Sequence, residues 1–322
     1  RQMCIRDSAE EVAITRNASE SLETALLGID MQRGDNIVTT TQDYPRMLTT
    51  IDQRVKREGI EVVKLRMDAP ITNEDAFVQA FANAITPRTK AVLVSQVVFL
   101  TGQINPVKKV CDVARQRGVL SIVDGAHAFA HFPFTQNDLG CDVFGTSLHK
   151  WLCGPIGTGM LYVRKDRIPD IWPLMAAAEA QSKDIRKFEE IGTHPASTHN
   201  AVAEAIEFHN AIGGERKAAR LRYLHSVYDK RVMQSGSASF LTNTKKVDNQ
   251  CGLRLLNLQG IDPNKLSTWL LDKQRIFTVA IVHDEFKGLR VAPSVYTTTA
   301  EMERFAAAIE QVLAGKVDGL NS

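Results

Sequence analysis

From residue 18 to about 160, short β-branched and apolar runs alternate with longer segments whose apolar positions recur at helical spacing. "NIVTT" (36–40), "EVVKL" (61–65), "AVLVSQ" (91–96), "LSIVD" (120–124) and "DVFGTSL" (142–148) predict strands. "RMLTTIDQRVKREG", "EDAFVQAFANAI" and "PVKKVCDVARQRG" predict the helices between them, the last opened by Pro106 and closed at Gly118. Strands apolar on both faces and separated by helices predict an α/β fold: a mostly parallel central sheet with right-handed crossovers and helices on both faces. Two more helical stretches follow, around 198–212 and 215–233. After "SGSAS" the order changes. "CGLRLLNL", "PNKLSTWLLDKQ", "FTVAIV", "LRVAPS" and "AEMERFAAAIEQVL" read β-α-β-β-α. Residues 1–234 are therefore expected to form a large α/β domain and 235–322 a smaller C-terminal α+β domain.

Composition narrows the class. The 322 residues can bury a sizeable core, and 44% hydrophobic against 24% charged side chains is the balance of a globular chain. Thirty-nine basic and 37 acidic residues leave +2, so charge gives no bulk case for nucleic acid or an anionic membrane, and no apolar run approaches a membrane span. The five cysteines (Cys4, Cys111, Cys141, Cys153, Cys251) are odd in number, scattered and without a CxxC pair. That argues against a disulfide framework or a zinc site and suits a reducing cytoplasm. The opening "RQMCIRDS" has no apolar h-region or cleavage signal and reads as an internal start, not a targeting segment.

Ligands of open α/β sheets sit beyond the carboxyl ends of the strands, which directs attention to the loops after 96, 124 and 148. Asp124 closes one strand, ahead of Gly125. An acid there binds ribose, a metal or a protonated nitrogen, or it caps the next segment. Lys150 follows the next strand in "TSLHKWLCGPIGTG", beside His149. Such a lysine either snorkels to solvent or, desolvated, presents a neutral amine to a carbonyl. Upstream, "TRNASESLETALLG" (15–28) places Asn17, Ser19 and Ser21 at a helix start, which serves as an ordinary N-cap or as an anion site. Neither GxxxxGK[ST] nor a GxGxxG after a strand is present, so a nucleotide-binding reading has only the strand–helix alternation behind it. Taken together, the three pieces fit pyridoxal 5'-phosphate (PLP): an anion site for its phosphate, an acid for its pyridine nitrogen and a lysine for its aldehyde.

"DGAH", "SLHK" and "GPIGTG" resemble the class V aminotransferases of PLP fold type I, and most closely the isopenicillin N epimerase-like branch, from about residue 12 to 312. The resemblance implies Asp124 at the pyridine nitrogen, His127 at the phenolic oxygen, Lys150 as the Schiff-base lysine, and Ser147 and His149 near the phosphate. "NAS" implies phosphate donors at Ala18 and Ser19, and "QDYP" implies Tyr44 stacked on the pyridine. "GTHPAS" implies that Thr193 reaches the phosphate of a second copy, hence a homodimer; its plainer reading is a helix cap. "LRVAPSVYTT" implies Arg290 as the fork for a substrate carboxylate, with Arg254 next in line. Family members also carry a further stretch before the phosphate segment, which implies that the N-terminal part of the family fold, and some of the substrate pocket, is missing from this chain.

The implied activity is that of a cytoplasmic enzyme acting at the α-carbon of an amino acid through Lys150 and Asp124, with no metal. An aminotransferase is the leading expectation. The alternatives are an isopenicillin N epimerase-like racemase or epimerase, or a C–S lyase, with a non-catalytic PLP-fold dimer behind them. Cysteine desulfurases need a nucleophilic thiol shortly before the carboxylate arginine, where this chain reads "FTVAIVHDEFKGLR" without one. Cys153 is expected to pack as a small buried hydrophobe.

Overall fold

The computed structural model describes residues 8–321, and the opening "RQMCIRDS", expected to be an internal start, lies almost wholly outside them. The chain divides into two compact units. The first runs up to Met67, from Asn73 to Val98 and from Asn105 to Gly214; the second comprises Asp68–Thr72, Phe99–Ile104 and everything from Glu215 on.

The first unit is built on strands β1 (Val12–Thr15), β2 (Asn36–Thr40), β3 (Glu61–Leu65), β4 (Thr89–Ser95), β5 (Leu120–Asp124), β6 (Val143–Ser147) and β7 (Gly159–Val163). Its helices are α1 (Ala18–Gly28), α2 (Pro45–Glu58), α3 (Glu74–Ala84), α4 (Val107–Gln116), α5 (Gln136–Leu139), α6 (Ala196–Asn200) and α7 (Val202–Ile212). The sheet order is β1-β7-β6-β5-β4-β2-β3. From β6 to β3 neighbouring strands are parallel, as the buried β-branched runs require. β1 and β7 were not among the expected strands; they pair antiparallel and close one edge. Leu22, Ala25 and Leu26 of α1 share one core with Ile37, Leu93, Ile122 and Val143 of the sheet.

Parallel strands bring their carboxyl ends to one edge, and the register is close. Ser95 at the end of β4 lies opposite Asp124 of β5, which in turn lies opposite Gly145 of β6. Gly125 turns the chain away at once. A Cβ there would fall 1.8 Å from the Phe144 ring, so only glycine lets the loop leave the strand this tightly.

The second unit contains α8 (Gly214–Met233), β8 (Ala238–Phe240), β9 (Arg254–Leu258), α9 (Pro263–Gln274), β10 (Val279–Val282), β11 (Lys287–Val291) and α10 (Thr299–Leu313). Its antiparallel sheet has the order β10-β11-β9-β8. The division falls at Gly214/Glu215, ahead of the expected 234/235. The physical cause is α8, whose Leu224, Tyr228 and Val232 are buried with Leu256 of β9, Leu289 of β11 and Phe305 of α10. No helix among the described residues is long and apolar enough to cross a membrane.

Candidate active site

The loops that leave β5 and β6 converge. Asp124 is buried, and its carboxylate accepts from the Ala126 backbone N–H at 2.8 Å. Burial pushes its pKa up to about 6; the Ala126 bond and the Lys150 charge pull the other way, and Asp43 adds to the rise. Lys150 Nζ lies 3.2 Å from His127 Nε2. Trp151 Nε1 donates to His127 Nδ1 at 3.3 Å, and the buried His131 stacks on the Trp151 ring with centroids 3.5 Å apart.

Three described residues other than glycine take a left-handed backbone, and two of them, Ala130 (φ 57°) and Cys153 (φ 63°), lie in these loops. Such conformations cost about 1–3 kcal/mol and persist where the surroundings impose them. Cys153 is exposed, not buried as expected: the left-handed turn carries it outward, with Sγ 3.9 Å from the Trp151 carbonyl.

The helix start of α1 meets the end of β6. Ala18 N–H donates to Ser147 Oγ at 2.9 Å, Asn17 Oδ1 caps Glu20 N–H at 2.9 Å, and Ser19 sits half-buried in the first turn. β7 reaches this point only as glycine: a Cβ on Gly159 would lie 2.6 Å from the Asn17 backbone. His149 Nδ1 is 3.2 Å from the Thr158 carbonyl oxygen, and burial lowers its pKa despite that bond.

Tyr44, 41% exposed, caps α2 just past β2 on the same sheet edge. The residue before it, Asp43, is buried and fully engaged. Its two oxygens accept from Thr39 Oγ1, Thr40 N, Thr40 Oγ1, Ser95 N and Ser95 Oγ, all within 2.6–2.9 Å. This ties the loop bearing Tyr44 to the end of β4. Beside it, Gln96 is buried with its Oε1 unpartnered among the described residues.

Asp124, His127, Ser147, His149 and Lys150, with Ala18 and Ser19, are thus gathered on one unit, and Tyr44 shares its edge. Thr193 lies exposed in the loop before α6. Arg290 belongs to the second unit, on β11. It is half-buried, donates to the Phe99 carbonyl oxygen at 2.8 Å, and leaves Nε without a hydrogen bond. Burial lowers its pKa. Arg254 is no substitute for it. That side chain is 2% exposed and committed to Asp229 and, at 2.8 Å, to Gln250 Oε1.

Sequence reasoning missed Trp151, His131, Asp43 and Gln96. For the first two a signal existed, a ring beside Lys150 and a second histidine four residues after His127; for Asp43 and Gln96 only the fold supplies it.

A buried acid at a strand tip, an amine over the next tip and a helix start define the class. The Aminotransferase class-V family profile matches residues 1–305, and the chain belongs to this family, which uses pyridoxal phosphate. Among particular relatives, the isopenicillin N epimerase of Amycolatopsis lactamdurans is 28% identical, covering 94% of this chain and 81% of its own. A cysteine desulfurase of Haloferax volcanii is 27% identical, covering 94% and 74%. The apo cysteine desulfurase of Thermococcus onnurineus shares the fold with TM-score 0.83 at 22% identity, covering 98% of this chain and 82% of that one. A cystine C–S lyase in complex with its product cysteine persulfide also gives TM-score 0.83, at 20% identity over 96% and 83%.

The residues present fit the cofactor. A carboxylate buried with too little compensation, its pKa pushed up to about 6, suits a cationic ring N–H, and the unpartnered Gln96 Oε1 marks further unmet polar capacity beside it.

Proposed function

We propose that the protein is a PLP-dependent enzyme that moves a proton at the α-carbon of an amino acid, an epimerase of the isopenicillin N epimerase type. The observation that carries this reading is the approach of Lys150 and His127 beside buried Asp124. Transamination, the leading expectation from sequence, has less behind it: the named relatives are epimerases and desulfurases, so the alternatives gain. C–S cleavage by a buried thiol, or by one in the segment before Arg290, is disfavoured. Burial pushes Cys111 and Cys251 up to about 12, Cys141 is raised as well, and that segment has no cysteine. This leaves exposed Cys153 as the described thiol outside this argument.

When bound, the cofactor supplies an electron sink for charge left at the α-carbon. Asp124 holds the proton on the ring nitrogen, which keeps that sink open. Lys150 Nζ would take the α-proton as general base on its own face, and inversion would be completed by a proton returned to the opposite face from water or an acid there. Ala18 and Ser19 at the dipole end of α1, with Ser147 and His149, hold the phosphate. Tyr44 covers the ring, and His127 donates to the phenolic oxygen. Arg290 takes the substrate carboxylate; its half-buried guanidinium lacks a carboxylate partner among the described residues. Thr193 serves the phosphate of a second copy in a homodimer. The free thiols Cys111, Cys141, Cys153 and Cys251 support a cytoplasmic setting.

PLP added to the protein should give a visible absorption band, and borohydride should fix the cofactor on Lys150. Amino acids incubated with the loaded enzyme in deuterated water should exchange the α-proton and invert; a keto acid product would restore transamination. A Lys150→Ala variant that kept both band and turnover would refute the assignment.

A further inference from the structure

An indole nitrogen only donates a hydrogen bond, and a backbone carbonyl only accepts one. Trp151 Nε1 donates to His127 Nδ1 at 3.3 Å, so Nδ1 carries no proton and the single proton of the neutral ring sits on Nε2, 3.2 Å from Lys150 Nζ. His131 is fixed in the opposite form. Its Nδ1 lies 2.7 Å from the His127 carbonyl oxygen and must carry the proton. Its ring lies against the indole, planes 14° apart, and holds the N–H edge toward His127.

We infer that Trp151 is a positioning residue that sets the tautomer of His127, making its Nε2 an obligatory donor at the reacting centre. In the ligand-free protein this donor faces the amine of Lys150, and the contact is a hydrogen bond when that amine is unprotonated. On the PLP reading proposed above, on which only this last step rests, it faces the phenolic oxygen, an acceptor. Were Nδ1 to hold the proton instead, Nε2 would oppose that oxygen lone pair to lone pair. The tautomer is therefore chosen before any ligand arrives, by the residue next to the lysine.

The test uses the ligand-free full chain labelled with ¹⁵N-histidine, observed by NMR as pH is raised until the Lys150 amine is unprotonated and no longer competes as a donor to Nε2, with His127 assigned by its loss in His127→Asn. In the unmodified chain His127 should show an unprotonated Nδ1 and a protonated Nε2, and His131 the reverse. Trp151→Phe keeps a ring for His131 and deletes only the N–H. It should move the His127 signals toward a mixture of tautomers and weaken PLP binding by about fivefold, the scale of one neutral hydrogen bond. His131→Phe, which keeps both stack and indole N–H, should leave the His127 signals in place. A protonated Nδ1 on His127 in the unmodified chain overturns the inference. So do unchanged signals in Trp151→Phe, or an equal change in His131→Phe, which would make the His131 bond to the His127 carbonyl, not the indole N–H, the cause. None of these outcomes touches the cofactor assignment, which stands or falls on borohydride fixation at Lys150.

Discussion

Replacing Asp124 by asparagine should stabilise the ligand-free protein while disabling the loaded one. The carboxyl is buried, and its pKa rises from 3.8 to about 6, chiefly by desolvation. Each pKa unit is worth about 1.4 kcal/mol, so keeping this group charged costs the fold about 3 kcal/mol. The sign follows from proton counting. Between pH 3.8 and about 6 the native state binds the proton that the unfolded chain has released, so stability falls as pH rises through that window and is flat above it. Asparagine is neutral throughout and can still accept from the Ala126 N–H through Oδ1. Urea unfolding of both ligand-free proteins across the window should give similar stabilities at its acid end. A gap of about 3 kcal/mol in favour of Asp124→Asn should then open by its upper end. With PLP bound the order reverses in function: kcat should fall about 10²–10³-fold, because no charge holds the ring nitrogen protonated. Parallel stability curves for the two proteins would refute the claim that this carboxylate is stored as an uncompensated charge.

Arg290→Ala should raise KM for the amino-acid substrate by about 10- to 100-fold, the scale of a charge-assisted bidentate pair, with a smaller change in kcat. Steady-state kinetics checks it, and an unaltered KM would move the carboxylate to another residue, though not to Arg254. Cys153→Gly should raise the urea unfolding free energy by about 1 kcal/mol, since glycine takes φ 63° without strain. A loss of stability there would mean that the thiol contributes more by contact than its backbone costs.

Much of the first unit was legible before folding. The runs at 36–40, 61–65 and 120–124 became β2, β3 and β5 with the expected bounds. In β2 and β5 the residues are buried along the whole strand and announce interior parallel strands, whereas β3 is the partly exposed edge strand. β1 and β7 were missed because an antiparallel edge pair needs partners far apart in the chain, Val12 opposite Tyr162, and leaves no local period to read. α8 was placed before the domain boundary because its helical period says nothing about which sheet its Leu224 and Tyr228 will cover.

The same line divides the candidate site. Asp124, Ser147, His149 and Lys150 could be singled out because strand ends in an open α/β sheet share one edge, while the roles expected of them came from the family resemblance. Local sequence could not reveal that Arg254 spends its charge on Asp229, that Cys153 turns outward, or that five donors converge on Asp43. Nor could it say which nitrogen of His127 holds the proton. By itself the sequence determined which chemical groups stand at the strand tips, since hydrophobic period and punctuation are local properties. Only the tertiary structure decided how those groups are charged, paired and protonated, because burial and hydrogen bonding depend on neighbours that the chain brings from far away.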